Sequence, residues 1–234
     1  MVSSIESSRP CKLNRTDRFL AIGAMALTFL LCSTELTSLA AQAATQTTAS
    51  QTLMKLAVKG RAPKTGYARS LFSDGWGSIA GCDTRNFILK RDLKSITWRS
   101  GENCMVATGT LLDPYTGRKI DFVRGVKTSL AVQIDHVVAL SDAWQKGAQQ
   151  ISSTARYALY NDPLNLLAVD GPTNESKGDG DAATWLPPNK AYRCSYVARQ
   201  VAVKYKYKLW VTSAEKAAIQ QVLAICPRQP LPTK

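Results

Sequence analysis

The chain has 234 residues, 45% of them hydrophobic and 20% charged, which excludes a disordered or collagen-like chain and gives enough apolar mass for one globular domain with extensions. Thirty Lys and Arg stand against 17 Asp and Glu, a formal net charge of +13 with a single histidine. A chain this basic is drawn to a polyanion, be it nucleic acid, anionic lipid or an acidic wall polymer, and charge alone does not choose among them.

At the N-terminus, Arg9, Lys12, Arg15 and Arg18 precede the apolar run "FLAIGAMALTFLL" (Phe19–Leu31), and small residues follow as far as Ala41-Gln42-Ala43. The run has the length of a signal-peptide core and is short for a bilayer span, so residues 1–43 are expected to be removed on export. The expected product is a secreted or periplasmic protein with no stable membrane insertion. Its loss of four basic and three acidic residues leaves a charge of +12. Cleavage also removes Cys11 and Cys32, leaving Cys82, Cys104, Cys194 and Cys226 for disulfides in an oxidising compartment. No C-x-x-C pair is present, which argues against a four-cysteine zinc knuckle.

Residues 44–65 read as a linker or N-terminal segment, polar at first ("ATQTTASQ") and then a short amphipathic helix around Leu53–Lys59. The domain is expected over residues 66–227, with a tail over 228–234. Its Gly- and aromatic-rich opening, "GYARSLFSDGWGSIAGCDTRN", reads as loops. Strands follow at "FILKRDL", "CMVATGTLL" and "KIDFVRG", the last two joined by the turn "DPYTG". "VQIDHVVAL" reads as a further strand leading into helices around Ser141–Gln149 and Thr154–Tyr160. "LNLLAV" reads as a buried strand, "DGPTN" as a turn, and "TNESKG" as a short helix limited by Gly178. Two helices close the chain, one over "NKAYRCSYVARQVAVKYKYK" and one over "TSAEKAAIQQVLAIC", the second opened by a capping box at Thr212 and Glu215 and stopped by Pro227. If this pair folds back near Trp210, Cys194 and Cys226, sixteen residues to either side, meet, which leaves Cys82 for Cys104. The fold class is α+β, strands first and helices last.

The only imidazole, His136, directly follows Asp135 at the end of an apolar run; Asn165 opens the next buried strand, and Asn174 and Lys177 sit on the short helix after it. This order, Asp135-His136, Asn165-Leu166-Leu167 and Asn174-x-x-Lys177, resembles the ββα-metal unit of the HNH, or His-Me-finger, endonucleases. "DHVVALSDAW", "NDPLNLLAVDGPTNESKGDGDAATWLPPN" and "RCSYVARQVAVKYKY" are similar to secreted HNH-family proteins that share a domain with the C-terminal part of GmrSD-type restriction enzymes. The resemblance covers most of residues 66–226. It implies a disulfide-braced ββα core with added N-terminal strands and a C-terminal helical pair.

The resemblance further implies hydrolysis of DNA, with RNA also open, at low sequence specificity, giving 5′-phosphate and 3′-hydroxyl ends. His136 would be the base, since imidazole titrates near neutrality. Asp135 and Asn174 would offer oxygen to a divalent cation, and Asn165 would hold the loop carrying His136 through side-chain to backbone hydrogen bonds. Lys177 and Arg85 are candidate phosphate contacts. Helix histidines that bind zinc in some relatives are missing, with Asn174 at the first such place and Gly178 four residues later, so Mg²⁺ or Mn²⁺ is the expected metal. Two other function classes compete. A non-catalytic DNA-binding or DNA-uptake module would need the basic surface and not His136. A wall-polymer hydrolase would use Asp179 and Asp181 as paired carboxylates.

Overall fold

The computed structural model describes residues 47–232, so the leader expected over residues 1–43 lies outside the described residues. In chain order the elements are helix α1 (Ala49–Leu53), the short strands β1 (Ser78–Ile79) and β2 (Cys82–Asp83), helix α2 (Thr84–Asp92), strands β3 (Lys94–Trp98), β4 (Val106–Leu112), β5 (Lys119–Val123) and β6 (Val132–His136), helices α3 (Leu140–Gln145) and α4 (Ser153–Asn161), strand β7 (Leu166–Asp170), and helices α5 (Gly171–Lys177), α6 (Arg193–Lys206) and α7 (Ser213–Ala224). The fold is α+β with small antiparallel sheets. Strands β3, β4 and β5 form one, and β6 and β7 another. Disulfides join Cys82 to Cys104 and Cys194 to Cys226, as the return of the last helix pair requires.

Three local elements differ from the sequence expectation, each for a visible reason. Helix α1 begins before Leu53 because Thr48 and Gln51 make a reciprocal capping box, and its Ala49 and Leu53 pack into the core with α6 and α7. "FILKRDL" is a helix and not a strand: Asp83 caps α2 by accepting from the Asn86 backbone N–H, and Ile88, Leu89 and Leu93 then reach one core. Three consecutive apolar residues fit either period, so the cap decides. "DGPTN" is the first turn of α5, since the Asp170 side chain accepts from the Thr173 N–H and Pro172 occupies the first turn, where a missing N–H costs nothing.

The hydrophobic interior has three clusters, and β6 with its exit feeds all of them. Val132 and Ile134 pack with α2, β4 and β5; Val137 packs with α1, α6 and α7; Val138 packs with α3 and α4. Strand β6 ends at His136, and the two valines after it enter different clusters. Asp135 and His136 sit where the clusters meet.

A buried ion cluster ties the helical half together. The Lys146 ammonium lies 2.7 Å from Asp142, 2.6 Å from Asp181 and 2.7 Å from Glu215, while Lys204 lies 2.6 Å from Glu215 and 3.2 Å from Asp142. Arg61 adds a third cation, 2.7 Å from Asp181, so three cations balance three carboxylates. Glu215 was expected to close a capping box. Thr212 does accept from the Glu215 N–H, but the Glu215 carboxylate turns inward to both lysines.

Candidate active site

Strand β6 ends at a cavity of about 380 Å³ walled by Gln133, Asp135, His136 and Ser141, with Asn174 and Asp179 from α5 and the segment after it, and Tyr67 and Arg69 from the N-terminal loops. The β6–β7 register places Asp135 opposite Leu167 and His136 opposite Leu166, and α5 leaves β7 without a connecting loop. Thus the Asp-His pair, Asn165 before β7 and Asn174 on α5 are brought to one place.

His136 is buried, and its Nε2 lies 2.9 Å from the Tyr160 carbonyl at the end of α4. A carbonyl only accepts, so the proton belongs on Nε2 and Nδ1 carries the lone pair. The Trp76 ring stacks on the imidazole at 5.8 Å with an interplanar angle of 8°, and Tyr160 lies against it at 4.8 Å. Burial first, then the Arg69 guanidinium, push the imidazole from 6.5 down to about 3, against the pull of the Tyr160 carbonyl. At neutral pH the ring is therefore uncharged.

Asn165 is fully buried, and its Oδ1 accepts from the Val138 N–H at 2.8 Å while its Nδ2 donates to the Val138 carbonyl at 3.3 Å. Its own carbonyl accepts from the Val137 N–H at 2.8 Å. The chain immediately after His136 is clamped to the start of β7, the arrangement read for Asn165 from the sequence.

Asp135 faces away from the imidazole. One carboxylate oxygen accepts from the Tyr115 hydroxyl, and the other lies 2.8 Å from the Lys177 ammonium. Burial and the Asp135 charge push the Tyr115 phenol well above its ordinary range, so it stays a donor. Lys177 also donates to the His136 carbonyl at 3.0 Å and is buried. The sequence reading of Lys177 as a phosphate contact is therefore corrected: its charge is used inside the protein. Arg85 does not line this cavity and donates to the Val132 carbonyl at 3.2 Å.

The orientation of Asn174 follows from its neighbours. Gln133 donates from Nε2 to the Glu175 carboxylate at 2.9 Å, which leaves its Oε1 to accept from Asn174 Nδ2 at 2.8 Å. Asn174 Oδ1 is left without a partner among the described residues. No group of three or more His, Cys, Asp and Glu arranged to hold a metal exists among the described residues. The donors at this wall are Asp135 and Asn174 oxygens without thiolate, of the type a hard cation takes, and both Asp135 oxygens are engaged by Tyr115 and Lys177.

The carboxylates of the wall-polymer reading are committed elsewhere. Asp181 is buried; burial pushes its carboxyl up, but Lys146 and Arg61 hold it down at about 2. Asp179 is lowered by its hydrogen bonds to Lys64 and Ser141. Neither carries the raised carboxyl that protonates a glycosidic oxygen.

Residues 83–222 match the family model of the GmrSD restriction endonucleases, C-terminal domain. The chain belongs to that family. A nuclease-related function follows for this GmrSD C-terminal domain protein in general terms. A protein of Arthroderma benhamiae described as an "uncharacterized secreted protein" is 35% identical over 213 residues, covering 86% of this chain and all of that one. No solved structure matches the chain. Like its fungal relative the protein is secreted, and no helix among the described residues is long and apolar enough to cross a membrane. Asp135, His136, Asn165 and Asn174 all fall within the matched GmrSD residues. The sequence reading missed Tyr115, Trp76, Tyr160 and Arg69. Trp76 and Arg69 come from the Gly- and aromatic-rich loops, whose only signal was an excess of aromatic residues where no periodic element was expected.

Proposed function

We propose that the protein is a secreted endonuclease that hydrolyses phosphodiester bonds of DNA, and of RNA where offered, with β6, β7 and α5 as its HNH-type ββα unit. The observation that carries this reading is the presentation of His136: an uncharged imidazole, its Nε2 proton fixed on the Tyr160 carbonyl, at the wall of a cavity shared with Asp135 and Asn174. In the reaction His136 Nδ1 accepts a proton from the attacking water, the new P–O bond forms, the bond to the 3′ oxygen breaks, and that oxygen takes a proton from solvent. Asn165 keeps the imidazole in place by clamping Val137 and Val138. Asp135 and Asn174 Oδ1 would hold Mg²⁺ or Mn²⁺, which when bound supplies charge stabilisation at the phosphate. The formal charge of +13, in a chain that belongs to a nuclease-related family, supports a polyanionic substrate.

The test is nicking of supercoiled plasmid by the purified secreted protein with Mg²⁺, Mn²⁺ or EDTA, beside His136→Ala and His136→Gln variants shown to be folded by circular dichroism. Metal-dependent nicking that falls by about 100-fold or more in both variants is expected. If wild type and variants retard the plasmid equally and none cuts it, the protein is a binding module and the reading fails.

A further inference from the structure

Arg69 lies N-terminal to the matched family residues 83–222, and the nuclease reading assigned it no role. It is the only Lys or Arg among the described residues lining the cavity. Two lysines pair with carboxylates of the cavity wall, Lys64 with Asp179 at 3.1 Å and Lys177 with Asp135 at 2.8 Å. Arg69 has no carboxylate partner among the described residues. Its guanidinium lies over the Tyr160 ring, 5.0 Å from the centroid, and donates to the Tyr160 hydroxyl at 3.2 Å. One of its donors is thereby held by a neutral residue that also packs against its plane, and others remain for a ligand, because guanidinium carries five N–H groups. The same Tyr160 holds His136 through its carbonyl. One residue therefore sets both the base and an unpaired, fork-shaped cation on the wall of one cavity.

We propose that Arg69 is the phosphate-binding residue of this site, donating to the non-bridging oxygens of the phosphodiester that His136 attacks through water. The inference rests on the nuclease reading and adds to it a substrate contact outside the matched family residues. Guanidinium suits the task because it pairs with two phosphate oxygens at once and stays charged at every working pH. Tyr160 stands in for the carboxylate that would otherwise hold such an arginine, leaving its charge for the substrate.

The experiment compares wild type, Arg69→Lys and Arg69→Met in plasmid nicking with Mg²⁺ and in binding of a labelled short duplex in EDTA across a salt series. Arg69→Met is expected to nick about 100-fold more slowly, with Arg69→Lys between it and wild type. In the salt series, loss of one phosphate contact lowers the slope of log K against log[salt] by about 0.9 in Arg69→Met, a change that a purely structural role would not produce. Nicking by Arg69→Met within threefold of wild type, or an unchanged salt slope, overturns the assignment and leaves the nuclease standing. Absence of cutting by wild type overturns the nuclease reading and the Arg69 assignment with it.

Discussion

Replacing Lys177 by Met tests how Asp135 is held. The Lys177 ammonium lies 2.8 Å from Asp135, and the two side chains are 0% and 6% exposed, so solvent screens the pair weakly. Lys177→Met keeps the stem and removes the charge, leaving a buried carboxylate with the Tyr115 hydroxyl as its remaining donor. Breaking a buried pair from one side costs about 3–5 kcal/mol. For a domain of this size that is a fall of roughly 6–20 °C in melting temperature. Thermal melts by circular dichroism in EDTA read the loss. Asp135→Asn added to Lys177→Met should recover much of it, because the neutral amide still accepts from Tyr115 and no buried charge remains. A loss below about 1 kcal/mol, or strictly additive single and double variants, would refute the claim that the pair is desolvated and mutually dependent. If Asp135 ligates the cation as proposed, Mg²⁺ raises the melting temperature of Lys177→Met more than that of wild type, since the metal then replaces the missing counter-charge.

Stability should depend on His136 below neutrality. Its folded pKa of about 3 lies beneath the ordinary 6.5, so the contribution is fully present above pH 6.5 and is lost as pH falls toward 3, where the unfolded chain takes a proton that the folded chain refuses. The slope is at most about 1.4 kcal/mol per pH unit, and urea melts of His136→Gln should be flatter than wild type between pH 6 and 4; parallel curves would count against the buried neutral ring. Gly171 opens α5 with no room for a side chain, because an added Cβ would collide with the Leu130 carbonyl. Gly171→Ala is expected to cost about 1–3 kcal/mol in a denaturant melt and to slow nicking by moving Asn174; wild-type values for both would mean that the contact yields freely.

The parts of the fold that could be read from the sequence were those with local signals of their own. The last helix pair was set by a cap at Thr212 and a stop at Pro227, and its return fixed Cys194 against Cys226. Asn165 was legible because a polar side chain at the head of an apolar strand must bond to backbone. Helix α2 was not, since Phe87, Ile88 and Leu89 in a row carry no period and the deciding hydrogen bond comes from Asp83, outside the run. Lys177 misled for a different reason. A lysine on a short helix is ordinarily solvated, and only the fold reveals that α5 aims it at Asp135. Arg69 opens a single 3-10 turn (Arg69–Leu71) and Trp76 lies in a loop, where position is set by what they meet in space and no periodicity announces it.

The adjacency of Asp135 and His136 invites reading them as a carboxylate–imidazole dyad, and the strand argues otherwise. Consecutive residues of β6 point to opposite faces, so Asp135 reaches Tyr115 and Lys177 while His136 reaches Trp76 and Tyr160. A backbone carbonyl orients the imidazole as firmly as a carboxylate would, fixing Nε2 as the donor, but it brings no full negative charge to favour the protonated ring. Burial outweighs that hydrogen bond, so the ring is neutral and a weaker base than a carboxylate-paired histidine. In the proposed reaction that deficit would be offset by cations that neutralise charge on the phosphate oxygens. Arg69, held by the residue that orients the base, is the cation that the proposal places there beside the metal.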